Sequence, residues 1–291
     1  MYSLGLVAAG FVTYTQRRWT GGIRFIDDAL QVHLDPGTGG VVRSVESGLS
    51  LEKISLLLVS HNHPDHCGDA TIFIEGMTKG TTRRRGALMA SRSVLQGNDI
   101  TAPSIGKYHQ SLLNQVIEAQ PGDNHNIQGL DIHVSRAKHT DPDGVGYVLE
   151  FPEVGKVGYT SDTSYFDGIA NPYRNVRVLI LCTTRPRGAP LKGHLTTDDA
   201  AKIVNVARPE IAVLTHFGMK MLNVYPNAQA KYVQESTGIR TLASYDGMVV
   251  SLEEEIKTTS IENVRRGARP SGRTKRQSTL ENTLSGERQR R

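Results

Sequence analysis

Only two of the 291 residues are cysteine, Cys67 and Cys182. Two thiols make no disulfide framework, which excludes a small cross-linked secreted scaffold and leads us to expect a reducing, cytoplasmic setting. Aromatic residues are sparse at 6%, with a single Trp, so no ladder of rings for stacking single strands is legible. No stretch approaches the roughly 20 apolar residues that span a bilayer, and no membrane partner is expected. The apolar start, residues 4–12, has no basic residue before it, while Arg17 and Arg18 come after it. A first strand or hairpin is expected there rather than a signal segment. Internal repeats at solenoid or propeller periods are absent.

What is present is globular in character, with 38% hydrophobic and 22% charged residues. A chain of this length buries a sizeable core. The net charge of +5 is unevenly spread. Residues 257–291 carry ten Lys/Arg and three Asp/Glu, or +7; subtracting these from 34 and 29 leaves 24 and 26, or −2, for residues 1–256. The basic segment has few core-forming side chains, so burial does not offset its chain entropy. We therefore expect one folded domain over residues 1–256 and a disordered basic tail over 257–291. Such a tail suits nucleic acid or acidic partners, or simply solubilises the chain.

Short apolar runs alternate with helical segments, the pattern of an α/β fold. Strands are expected over residues 22–26, 30–34, 55–59, 86–90, 132–135, 146–151, 156–160, 178–182, 211–215 and 248–252. Helices are expected over 65–74, 91–96, 107–117, 197–207 and 228–236. The helix at 197 has Thr196 or Thr197 as cap, Asp198 and Asp199 in its first turn, and Pro209 beyond its end. Several strands run directly into a His or Asp: Asp35, His61, His139, Asp162 and His216. Polar groups on loops held by a rigid sheet are where active sites gather.

The densest such loop is His61-Asn62-His63-Pro64-Asp65-His66, four ligand-type side chains in six residues. Crowded imidazoles and carboxylates desolvate one another, and a divalent cation removes that cost. Taken alone, a histidine after a strand, such as His139, is ordinarily structural; the joint pattern argues otherwise. Cys67 and Cys182 read as small buried residues. His33, His109, His125 and His133 are assigned no role, with His125 read as lying in a turn.

These elements together resemble the metallo-β-lactamase superfamily over roughly residues 20–256. Asp35 in Leu-Asp-Pro-Gly resembles its first element, and residues 61–66 its HxHxDH signature. His139, Asp162 and His216 follow in the family's order. The resemblance implies a four-layer αββα sandwich enclosing two divalent metal ions. By it, His61, His63 and His139 hold the first ion, Asp65, His66 and His216 hold the second, and Asp162 bridges. It also implies that Asp35 orients a ligand and that Asp65 orients the attacking water. A nitrogen-and-oxygen ligand set suits zinc, with manganese and iron also compatible. Two such ions make hydroxide available near neutral pH.

Within the superfamily, Gly193-His194-Leu-Thr-Thr resembles the Gly-His element of ribonuclease Z-type members. By that resemblance His194 helps protonate the leaving oxygen, and the substrate is a phosphodiester, either RNA or DNA. The basic runs Arg185-Pro-Arg187, Lys192 and Lys79 to Arg85 suit a phosphate. The long arm that holds the tRNA elbow is not recognisable, and residues 122–130 are too few for it. A binuclear phosphodiesterase or nuclease is therefore the expected function. The alternatives are lactone or thioester hydrolysis on the same fold, and a metal-stabilised nucleic-acid-binding scaffold without activity. Relatives of this kind often pair, so a homodimer is a further expectation.

Overall fold

A run such as Leu56-Leu-Leu-Val59 leaves no face for water, so a strand built from it must be covered on both sides. A computed structural model describes residues 3–6, 15, 17–20, 22–26 and 30–267, and two helix layers provide that cover. The chain first lays down β1 (Ser3–Leu6), β2 (Ile23–Ile26), β3 (Gln31–Leu34), β4 (Leu56–Val59), β5 (Ala87–Ala90) and β6 (Gln115–Glu118) side by side. It then crosses to a second sheet: β7 (Asn124–Ile127), β8 (Leu130–Arg136), β9 (Val145–Phe151), β10 (Gly155–Tyr159), β11 (Val178–Cys182), β12 (Ile211–Thr215) and β13 (Thr241–Ala243). Finally β14 (Met248–Leu252) and β15 (Ile256–Ser260) return to the first sheet, β14 beside β1.

Strand alternation sorts the side chains into three cores. Leu56 and Leu58 join Val32, Leu34, Tyr147, Val157, Ile180 and Val213 between the sheets. Leu57 and Val59 point the other way, onto Phe73, Ile74 and Met77 of α3 (Ala70–Met77). On the second sheet, Leu179, Leu181, Ala212 and Leu214 meet α6 (Thr197–Ala207) and α8 (Pro226–Thr237) through Ile203, Val204 and Val233. Each such side chain contributes about 1.5–3 kcal/mol by leaving water. The result is the expected αββα sandwich. Among the described residues no helix is long and apolar enough to cross a membrane.

Several boundaries differ from expectation. The helix expected over 65–74 is two, α2 (Pro64–Cys67) and α3, because Asp69 leaves helical geometry at φ −101° and ψ 5° and its N–H donates to the Pro36 carbonyl at 2.9 Å instead of continuing the helix. The helix expected over 107–117 stops at Ser111, and Gln115–Glu118 pairs in parallel with β5 instead. Its Val116 and Ile117 are β-branched and fit the pleat. His125 lies in β7, not in a turn. The domain does not end at 256. Strand β15 continues through Thr258 and Thr259 and pairs with β14, and the helix Ile261–Gly267 follows it. Residues 257–267 thus have regular structure, since their threonines and Ile261 suit an edge strand and its exit; residues 268–291 lie outside the described residues. Helix α6 starts as read, with Thr196 and Asp199 in a reciprocal capping box.

Candidate metal centre

Strand β4 delivers the chain to Ser60, and Pro64 at the first position of α2 turns it at once. His61, His63, Asp65 and His66 are thereby held on one tight corner. Asn62 fixes that corner from outside: its N–H donates to Asp141 Oδ2 at 2.8 Å, and its amide donates to the Ser93 and Ala102 carbonyls at 3.0 and 2.8 Å. Three other strand-end residues, Asp35, Ser161 and His216, turn in the left-handed region with φ of 55°, 54° and 62°. Non-glycine residues held there cost energy and concentrate at functional sites.

Hydrogen bonds behind the rings set their orientation. Asp35 Oδ1 accepts the Ser60 N–H at 2.7 Å. Its Oδ2 accepts from Ser60 Oγ at 2.8 Å, Tyr159 Oη at 2.6 Å and His66 Nδ1 at 2.8 Å. Because the Ser60 hydroxyl proton goes to Asp35, His61 Nδ1, 3.0 Å away, is the donor to Ser60 Oγ. His139 Nδ1 donates to the Gly193 carbonyl at 2.8 Å. In the His61 and His139 rings Nε2 is left with its lone pair facing inward, as metal-ligating histidines require. Burial would lower the His66 pKa, but the Asp65, Asp35 and Asp162 carboxylates outweigh it and raise it well above the usual histidine range.

Two groups of donor atoms result. His61 Nε2 and His139 Nε2 each lie 3.1 Å from His63 Nδ1. Tetrahedral zinc with nitrogen ligands at 2.0–2.1 Å separates them by about 3.3 Å, so the spacing fits. In the second group His216 Nε2 is 3.0 Å from His66 Nε2 and 3.2 Å from Asp65 Oδ2. Asp162 stands between them. Its Oδ2 is 3.8 Å from His139 Nε2 and 3.7 Å from His66 Nε2, and its Oδ1 is 3.2 Å from His216 Nδ1. Both Asp162 oxygens are buried and accept no hydrogen bond. A carboxylate buried in that state is costly unless a cation meets it. The donor set and this orphaned carboxylate fit divalent metal.

Burial alone would raise Asp162, but the His216 and His66 imidazoles outweigh it and hold the carboxyl well below the usual range. Burial would likewise raise Asp65, yet His66 and His216 keep it low. Burial pushes His61 and His139 down, the neutral form a ligand needs.

His194 sits against the same centre. Its Nδ1 is 3.5 Å from Asp162 Oδ2 and 3.2 Å from Thr184 Oγ1, and that hydroxyl also reaches His216 Nδ1 at 3.0 Å. Burial lowers its pKa to about 4 against the opposing pull of Asp162. Cys67 Sγ faces Asn62 Oδ1 at 3.5 Å. Cys182 Sγ does come within 4.8 Å of donor atoms on Asp162 and His216, but burial keeps its thiol well above the usual range.

The structure thus gathers His61, His63, Asp65, His66, His139, Asp162, His194 and His216. Sequence reasoning missed Ser60, Ser161, Asp141 and Thr184; for Thr184 the available signal was its place just after β11. The expected basic run from Lys79 to Arg85 is elsewhere. Lys79 pairs with Glu52 at 3.3 Å, and Arg84 Nε donates to the Leu113 carbonyl at 2.9 Å. They precede β5, which runs parallel to β4, so they lie at the strand end opposite His61. Arg187 is tied to Asp198 at 3.2 Å and lies 3.7 Å over the Tyr232 ring.

Residues 31–217 match the model of the beta-lactamase superfamily domain. An uncharacterized protein of Methanocaldococcus jannaschii, MJ1374, is 36% identical over 251 residues, covering 86% of this chain and 93% of that one. A UPF0173 metal-dependent hydrolase of Anaeromyxobacter sp. is 28% identical over 190 residues, 60% of this chain and 64% of its own. Among solved structures, the metallo-beta-lactamase fold protein YhfI of Bacillus subtilis superposes with TM-score 0.71 at 17% identity, covering 85% and 98% of the two chains. A diphosphatase of the PhnP family gives 0.64 at 16%, covering 87% and 98%. The short form of human tRNase Z gives 0.63 at 16%, covering 86% and 99%. The protein has the metallo-β-lactamase fold, and the chain belongs to the beta-lactamase superfamily.

Proposed function

We propose that the protein is a binuclear-metal hydrolase that cleaves phosphodiester bonds, with RNA or DNA as the substrate class. The observation that carries the reading is the buried, hydrogen-bond-free carboxylate of Asp162 spanning the two donor groups. His61, His63 and His139 would hold one ion, Asp65, His66 and His216 would hold the other, and Asp162 would serve both. When bound, two divalent ions supply a water acidic enough to attack near neutral pH and offset the charge that develops on phosphorus; zinc suits these ligands best.

The chain's own groups do the rest. Asp65 accepts a hydrogen bond from the attacking water and aims it. His194 stands beside the bridge, where the leaving oxygen departs, and gives it a proton. Burial keeps His194 neutral in the free protein; a phosphate entering beside it acts in the opposite direction and draws the proton on. The diphosphatase and tRNase Z of the same fold, by their names, work on phosphoryl compounds and tRNA, which supports this choice over lactones or thioesters.

The test is Asp162→Ala assayed with bis(p-nitrophenyl) phosphate beside a lactone and a thioester. We expect phosphodiester cleavage by the native protein, dependent on metal and abolished in the variant. Full retained activity removes Asp162 from the bridge, and turnover confined to the lactone or thioester replaces the phosphodiester assignment.

A further inference from the structure

Strands β5, β6 and β8 all end at one edge of the sandwich, beside the metal centre. A cleft of about 500 Å³ opens there, and its charged lining is Arg92, Glu118, Arg136, Lys138 and Asp143. His139 and Gly144 complete the wall it shares with the centre. A Cβ on Gly144 would lie 3.5 Å from the His61 Cβ and 4.0 Å from the His139 Cβ. Only one loop therefore separates cleft from donor cluster.

The charges in this cleft are not matched to one another. Glu118 receives the Gln96 and Gln120 amides at 2.5 and 2.9 Å, and Asp143 receives the Asn98 amide at 2.8 Å. Neither acid pairs with a cation of the cleft. The exposed Arg92 and Arg136 guanidinium groups make no hydrogen bond or ion pair with any described residue. The Lys138 ammonium lies 4.8 Å over the Phe166 ring, which leaves its N–H donors available. Two open guanidinium forks and an ammonium in one concavity are complementary to a phosphate oxygen set. The Arg84 and Arg187 side chains, by contrast, are engaged within the fold.

We propose that this cleft binds a second phosphate group of the substrate, next to the one at the metal centre. The proposal rests on the phosphodiester reading and sharpens it: the substrate is a polyanion rather than a small, singly charged diester. That second phosphate is supplied either by the next nucleotides of a strand or by a terminal phosphate one nucleotide away from the scissile diester.

The experiment measures equilibrium binding to the metal-loaded protein of a fluorescent decathymidylate and of thymidine 3′,5′-bisphosphate. It compares the native chain, Arg92→Gln/Arg136→Gln, and a distant control of equal charge, Lys231→Gln/Lys257→Gln, with thermal unfolding confirming that each is folded. The cleft variant is expected to weaken binding about 10-fold, the control leaving it unchanged. Loss for the decathymidylate alone identifies a strand, and loss for both ligands identifies a nucleotide-sized phosphate pair. Equal binding by native and cleft variants, or equal weakening by the control, overturns the proposal. Cleavage of bis(p-nitrophenyl) phosphate by the native protein, measured alongside, reports on the phosphodiester reading separately.

Discussion

Asp35 Oδ2 accepts the Nδ1 proton of His66 at 2.8 Å while also accepting the Tyr159 and Ser60 hydroxyls. One carboxylate at the end of β3 therefore fixes which nitrogen of His66 faces the donor cluster. Asp35→Asn keeps the shape but turns an acceptor into a group that also donates, against three donors. Metal affinity should fall about 10- to 100-fold, the usual scale for losing such a partner. Competition with a chromophoric chelator measures it, with circular dichroism as the check on folding. Undiminished affinity would detach Asp35 from the site.

The place of His194 beside Asp162 makes a prediction about leaving groups. A departing alkoxide needs a proton, whereas p-nitrophenolate leaves readily without one. His194→Ala should keep the native metal content and slow cleavage of a dinucleotide by about 10²-fold or more. Its effect on bis(p-nitrophenyl) phosphate should be much smaller. Equal losses on the two substrates would show that His194 acts on binding rather than on the leaving oxygen.

Sequence made the α/β class and the strand-end residues legible for one reason, while the αββα layering was implied only by the family resemblance. An apolar run that stops at a His or Asp marks both a buried strand and the point where it surfaces. Asp35, His61, His139, Asp162 and His216 are all of this kind, and the fold brings them together. What holds them was not legible. Asp141 grips the loop at Asn62 from 79 residues away, and Thr184 reaches His216 across 32. Neither is distinctive in type, and only tertiary structure pairs them. The segment from Leu112 to Ile117 fits helical and strand spacing alike; its parallel pairing with β5 decided the matter. Arg83 to Arg85 stand near His61 in the chain, but strand direction carries them to the far end.

Gly193 has φ of +84°, and a Cβ there would lie 2.9 Å from His139 Nδ1. Its carbonyl is also the acceptor for that nitrogen. Gly193→Ala therefore strains the backbone and displaces the His139 ring together. We expect a loss of metal affinity comparable to that of a missing hydrogen-bonding partner, about 10-fold or more. Isothermal titration with zinc reads this directly; an unaltered isotherm would mean that the loop has slack the structure does not show.

The last prediction concerns a histidine outside the centre. His33 is buried in β3, its ring 4.2 Å from that of Phe73, and its Nδ1 accepts Arg24 Nε–H at 3.1 Å. Its Nε2 has no partner. Burial first, and the Arg24 guanidinium second, hold its pKa well below the usual histidine range. The unfolded chain takes up this proton near pH 6.5 while the folded chain does not. Stability from this group is therefore complete above that pH and is lost as pH falls below it, by about 1.4 kcal/mol per unit. His33→Gln keeps an acceptor for Arg24 without a titrating ring. The stability difference between native protein and variant, from urea unfolding at pH 7.5 and 5.5, should shift by about 1 kcal/mol or more in favour of the variant at the lower pH. A difference that does not move with pH would mean that His33 takes up its proton as readily in the folded chain as in the unfolded one.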